Sequence, residues 1–218
     1  MASEPDRTRA RELARESLAA GDVTGWFERL YQESDHGAVV PWAELRPNPN
    51  LTDWWDAGPS IEAAGRTALV VGCGLGDDAE ALASWGFKVT AFDVAPTAIA
   101  KAGGRFPSST VDYQTVDLFS PPSHWKRAFD FVFESYTLQA LPVNVRGWAV
   151  RKIASFLAPA GHLLLIARAR DATDPAGNMP WPLTEEDLAQ FERLGLAVVS
   201  WEDYMDGSIR RFRVLYQR

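Results

Sequence analysis

Three glycines at alternate positions, Gly72, Gly74 and Gly76, stand in TALVVGCGLGDDAEALASWGFKVTAFD, residues 67–93. Asp77 and Asp78 follow them, and Asp93 ends the stretch. Glycine tolerates the positive φ of a tight turn and lets the backbone approach a ligand closely. An acid at the end of the next strand can accept hydrogen bonds from a ribose. A strand, a glycine turn, a helix and a second strand ending in an acid form half of a nucleotide-type crevice.

Two kinds of ligand compete for such a crevice. A nicotinamide or flavin site spaces its glycines G-x-G-x-x-G and sets a pyrophosphate on the helix N-terminus. Here the spacing is G-x-G-x-G, and Asp77 occupies the third-glycine position. Two carboxylates there repel a diphosphate and suit a phosphate-free cation. S-adenosylmethionine, with its sulfonium and ammonium groups, is such a ligand. The backbone at Gly72, Gly74 and Gly76 would then meet its amino-acid part and ribose. Asp93 would accept from the ribose hydroxyls, and Asp117, in VDLF, would hold the adenine amino group. Both roles rest on strand-end position, where open α/β sheets bind ligands.

The elements that must position these residues alternate along the chain. Strands are predicted at 67–71, 87–92, 110–116, 129–133 and 162–167, and helices at 77–85, 96–103, 144–157 and 184–194. Thr184 and Asp187 have the spacing of a capping box. Segments 196–204 and 208–217, joined at Asp206-Gly207, form a predicted hairpin. Upstream, helices are predicted at 5–20, at 22–32 with Asp22 as cap, and at 51–64, with a proline-bearing loop at 33–50. The expected fold is α/β, a doubly wound, mostly parallel seven-stranded sheet with a C-terminal antiparallel hairpin. Residues 1–64 make an N-terminal helical cap or lid, and 65–218 the binding core of a single domain.

Bulk properties narrow the function. The chain has 218 residues and a net charge of −7, so a nucleic-acid partner is not expected. One cysteine, Cys73, excludes an internal disulfide framework and a cysteine-rich metal site, and no metal is expected. No membrane span or signal peptide is apparent, so a cytoplasmic location is expected. Oligomeric state, monomer or dimer, is left open. Nine tryptophans are many for this length, and four precede the glycine turn. They serve core packing or an aromatic lid.

With these motifs in place, the chain resembles the class I S-adenosylmethionine-dependent methyltransferases, which share a Rossmann-like fold. Within them it is similar to the thiopurine, thiol and halide methyltransferase group. That group typically reads A-L-V-P-G-C-G-x-G-x-D, against ALVVGCGLGDD here, and lacks an acid at the position of Val70. The likeness continues through GFKVTAFDVAPTAI, FDFVFESYTLQALPVNVRGWA and FLAPAGHLLLIA. The group's W-x-x-x-W becomes Trp26 with Leu30, or Tyr31 after a one-residue shift, and Pro41-Trp42 follows. The resemblance implies cofactor roles for Trp26, Trp42, Gly72, Asp93, Asp117-Leu118 and Glu134 or Ser135. It also implies that Tyr136 lies near the transferred methyl group.

The expected reaction is in-line methyl transfer to a small-molecule acceptor, a thiol or thiopurine-like compound. Alignment of nucleophile, methyl carbon and sulfur supplies much of such a rate. A thiol ionises readily near neutral pH, whereas an oxygen nucleophile would want a base within reach. The alternatives are an O- or N-methyltransferase of a small metabolite and a non-catalytic S-adenosylmethionine-binding protein. His36 is the histidine best placed to serve as a base, against a reading as a solvated loop residue. His124 and His162 read as loop and structural residues, and Cys73 as a small buried side chain. Glu134 can cap a turn instead of touching ligand. Arg146 and Trp148 match the family pattern and start a helix rather than bind substrate, and Arg210, Arg211 and Arg213 read as an exposed strand face, against an anionic-substrate role.

Overall fold

The computed structural model describes residues 4–34 and 40–218. Its strands are β1 (Thr67–Val71), β2 (Lys88–Asp93), β3 (Asp112–Thr115), β4 (Phe129–Ser135), β5 (Leu157–Arg168), β6 (Ala197–Asp206) and β7 (Ile209–Gln217). Its helices are α1 (Glu4–Ala19), α2 (Gly25–Glu33), α3 (Pro49–Asp56), α4 (Asp77–Ser84), α5 (Pro96–Arg105), α6 (Val143–Phe156) and α7 (Glu185–Arg193). One sheet contains the strands in the order β3-β2-β1-β4-β5-β7-β6. The first five pair in parallel, and β7 runs antiparallel between β5 and β6. This is the doubly wound sheet with a terminal hairpin that the element order predicts.

A strand covered on both faces must be apolar throughout. In β1, Ala68 and Val70 enter one cluster with Leu51 and Trp54 of α3 and Leu82 of α4. Leu69 and Val71 enter the other with Ile153 of α6 and Leu188 and Phe191 of α7. β4 divides likewise, with Phe131 and Phe133 on the first face and Val132 on the second. A third cluster joins Leu13 of α1, Trp26, Leu30 and Tyr31 of α2, and Ala95 and Ala98 beside β2. The Arg9 guanidinium ties α1 to Glu33 at 2.6 and 2.7 Å. Glu28 of α2 accepts from the Thr97 N–H and hydroxyl of α5 at 3.0 and 2.6 Å. The cap is therefore fastened to the start of α5.

Several boundaries differ from expectation. α3 ends at Asp56, because Gly58 takes a positive φ and Pro59 follows. β3 is shorter than 110–116. β5 begins five residues early, since Leu157 pairs with Phe129 before a register shift to Phe131 and His162. Asp22 does satisfy the start of α2, accepting from the Thr24 and Gly25 N–H groups at 3.0 and 2.8 Å, with Thr24 as the cap residue. Thr184 and Asp187 form the reciprocal capping box. Among the described residues no helix is long and apolar enough to cross a membrane.

Phe131 is fully buried, stacked on Trp54 at 5.9 Å and on Phe87 at 5.2 Å. Phe131→Ala should cost about 3–5 kcal/mol of stability in urea unfolding. A loss below about 1 kcal/mol would mean that α3 does not seal this face of the sheet.

Candidate active site

β1 has β2 on one side and β4 on the other, and chain direction through the sheet reverses there. Open α/β sheets bind ligands at the carboxyl ends of strands at such a point. A cavity of about 430 Å³ lies at this edge, lined from the glycine turn, the ends of β2 and β4, the cap and the β6–β7 turn.

The Asp93 carboxylate organises the turn. One oxygen accepts from the Gly74 N–H at 3.0 Å and the other from the Ala95 N–H at 2.9 Å. The side chain is buried yet lines the cavity. Burial pushes its pKa up to about 6, against the pull of those backbone donors. Gly72 and Gly74 have φ of 63° and 53° and line the cavity. A Cβ on Gly74 would stand 2.9 Å from the Tyr31 hydroxyl, and one on Gly72 would collide with Thr137. Gly76 is not on the cavity wall; a side chain there would strike Tyr113, so its smallness serves packing at the start of α4.

The aromatic cap is built differently from a tryptophan pair. Trp42 lines the cavity, and its indole N–H donates to the Tyr31 hydroxyl at 2.9 Å. Tyr31, in the position shifted by one from Leu30, also lines the cavity. Trp26 is buried off the wall, stacked on Phe27 at 3.8 Å and edge-on to Trp42 at 5.9 Å. It supports the wall rather than forming it.

The two acids after the glycines do not face the cavity as free charges. Arg105 clasps Asp77 at 2.6 and 2.7 Å and also donates to the Leu75 carbonyl. Asp78 accepts from the Asn48 N–H at 2.6 Å, and burial pushes its pKa up to about 6. Asp117 is exposed on the wall and accepts from the Phe119 N–H at 2.8 Å. Leu118 lies beside it, buried.

At the end of β4, Glu134 turns away from the cavity. It accepts from the Thr137 and Leu138 N–H groups at 2.7 and 3.0 Å, capping the turn. Its second oxygen is buried without a partner, and burial pushes its pKa up to about 7. Ser135 and Tyr136 do line the cavity. Tyr136 has φ of 67°, a strained value for a bulky side chain, and Arg211 lies over its ring at 5.2 Å. Asn48 joins this end to the cap by donating to the Ser135 hydroxyl at 2.8 Å.

His36 lies outside the described residues. His124 and His162 are not on the wall. Cys73 is, but burial and Asp93 hold its thiol well above the ordinary range. Arg146 is buried in α6, donating to the Leu141 and Trp181 carbonyls. Among the described residues no cluster could hold a metal ion. Sequence reasoning missed Asn48, Gln139 and Arg168 on the wall, and it placed Arg211 on an exposed face. No local motif marks them; only Tyr31 had a signal, its offset from Leu30.

The family model of thiopurine S-methyltransferase (TPMT) matches residues 25–210. The chain belongs to the thiopurine S-methyltransferase family. It is 29% identical over 189 residues to thiocyanate methyltransferase 1 of Arabidopsis thaliana, covering 82% of this chain and 76% of that one. It is 25% identical over 204 residues to probable thiol methyltransferase 2 of the same plant, with coverages of 89% and 83%. The fold overlays that of the N-methyltransferase NodS from Bradyrhizobium japonicum WM9, solved with S-adenosyl-L-homocysteine. The TM-score is 0.68 at 23% identity, covering 87% of this chain and 98% of that one.

This member of the thiopurine S-methyltransferase family is thus an enzyme that uses S-adenosylmethionine to methylate a small molecule. The cavity fits that cofactor. A Cβ at Gly72 or Gly74 would crowd the cradle, and Asp78 and Asp93 set carboxylates on its wall.

The acids also set a pH dependence. Glu134 and Asp93 have folded pKa values above their ordinary ones, so the folded chain binds more protons than the unfolded chain between about pH 4 and 7. Their contribution to stability is full below that window and is lost as pH rises through it. Glu134→Gln keeps an oxygen for Thr137 and Leu138. It should flatten the stability profile between pH 5 and 7 and gain roughly 1–3 kcal/mol above pH 7. An unchanged profile in urea unfolding would show that Glu134 titrates normally.

Proposed function

We propose that the acceptor is a thiol or thiopurine-like molecule, methylated on sulfur by in-line displacement. The observation that carries this is the engagement of the acids on the wall. Glu44 is held by Arg46, Asp77 by Arg105, Asp78 by Asn48, Asp93 by Gly74 and Ala95, Asp117 by Phe119, and Asp206 by Arg211. Each is fixed in a structural bond, which suits a nucleophile that ionises without a dedicated base. The thiol and thiocyanate methyltransferases of Arabidopsis thaliana point the same way.

When bound, S-adenosylmethionine supplies a methyl group on a sulfonium, which leaves as a neutral thioether as the acceptor sulfur's electron pair forms the new bond. The acceptor's proton goes to solvent beforehand. The residues of this chain bind, align and exclude water. Gly72 and Gly74 give backbone access, and Asp93 uses its remaining lone pairs for the ribose hydroxyls. Asp117 takes the adenine amino group, with Leu118 against the ring. Trp42, held by Tyr31 and backed by Trp26, closes one wall. Tyr136 stands where the acceptor meets the methyl group, its phenol kept protonated by burial. In this reading Gly76 and Glu134 act by shaping the turns. Residues 1–64 serve as the lid and 65–218 as the core of one cytoplasmic domain. The acidic net charge disfavours nucleic acid as a substrate.

Asp117→Ala removes one charge-assisted hydrogen bond at an exposed position. It should weaken S-adenosylhomocysteine binding about tenfold by calorimetry; equal affinity would remove Asp117 from the site. Incubation with a panel of thiols should convert S-adenosylmethionine to S-adenosylhomocysteine, with the rate tracking thiol ionisation. Turnover on phenols or amines instead would sink the thiol assignment, and binding without turnover on any acceptor would favour a non-catalytic role.

A further inference from the structure

The order of strands places the wall residues in a row along the sheet edge. Asp117 follows β3, Asp93 ends β2, the glycine turn follows β1, Tyr136 follows β4, Arg168 ends β5, and Arg211 lies on β7. Asp117 and Asp93 stand on one side of Tyr136, and two guanidiniums, with Asp206 beside Arg211, on the other. Arg168 and Arg211 are directly opposed in the antiparallel ladder, so both side chains leave the same face. Arg7 of α1 joins them on the cavity wall.

Arg211 is accounted for, donating to Asp206 at 2.7 Å. Arg168 is not. Only its backbone N–H is engaged, donating to the Gln139 side chain at 2.7 Å. Neither Arg168 nor Arg7 has a side-chain hydrogen-bond or ion-pair partner among the described residues. Arg168 is partly buried, and burial together with Arg7 and Arg211 draws its pKa below the usual value. A desolvated cation among like charges is unfavourable until an anion joins it. The guanidinium fork matches a planar carboxylate, and Met179 and Pro180 add apolar wall for a ring or short chain.

We propose that Arg168, supported by Arg7 and Arg211, is an anion subsite that binds a carboxylate carried by the methyl acceptor. The acceptor is then a thiol bearing a second, unreactive acid group. This rests on the thiol reading above for the identity of the nucleophile. The cofactor's own carboxylate is the other possible source of the anion. Strand order favours the acceptor: β4 separates β5 from the glycine turn, which sets Arg168 about 10 Å from β1.

The test is calorimetric binding of benzoate and of benzamide to the full chain saturated with S-adenosylhomocysteine. Benzoate should bind at least about tenfold more tightly, and Arg168→Met should bring the two within about twofold. Equal binding of the two probes to the unsubstituted protein overturns the proposal without need of any variant, and so does a benzoate preference that survives Arg168→Met. Equal binding of the probes, with Arg168→Met weakening S-adenosylhomocysteine instead, assigns the guanidinium to the cofactor's carboxylate and also overturns it. A benzoate preference lost in Arg168→Met, alongside no turnover of 3-mercaptobenzoate or neutral thiols by the unsubstituted enzyme, sustains the subsite and refutes the thiol reading alone.

Discussion

The site depends on one carboxylate. Asp93 holds the N–H of Gly74 with one oxygen and that of Ala95 with the other. The first bond sets the glycine turn after β1, and the second sets the entry to α5. The cap is fastened to α5 through Glu28 and Thr97, so the glycine turn and the cap share one anchor. Burying that anchor raises its pKa to about 6. A buried carboxylate held by backbone donors alone keeps lone pairs open toward the cavity it lines.

The same economy of space explains the cap. Tyr31 rests against Gly74 and takes a hydrogen bond from Trp42. A side chain at Gly74 would push Tyr31 away from the glycine turn. The tyrosine therefore does what a second tryptophan would do by packing alone, and adds a hydroxyl that fixes Trp42. Trp26 stiffens the assembly from behind, off the cavity wall.

Charge along the sheet edge is uneven. Asp93 and Asp117 stand at the ends of β2 and β3. Guanidiniums gather at β5 and β7, with Tyr136 between them. Arg211 stacks on the Tyr136 ring while bound to Asp206, so the strained Tyr136 backbone is locked by the hairpin. A chain with net charge −7 can therefore present a positive wall inside its cavity.

The sequence by itself determined the sheet, the glycine turn and its cofactor class. Those features follow from local rules: apolar runs for strands buried on both faces, glycine where φ is positive, and acids at strand ends. Sequence also implied Trp42, Gly72, Gly74, Asp93, Asp117, Leu118 and Tyr136, and the structure gathers all seven on one cavity. Only the tertiary structure decided which residues turn away. Gly76 is small for Tyr113, Glu134 caps a turn, Trp26 backs a wall, and Asp77 spends its charge on Arg105. It alone brought Asn48, Arg168 and Arg211 to the cavity, because each arrives through a long-range pairing that no local spacing encodes. Residues 168 and 211 face each other only once β7 is inserted between β5 and β6, and that insertion brings Arg211 over the Tyr136 ring.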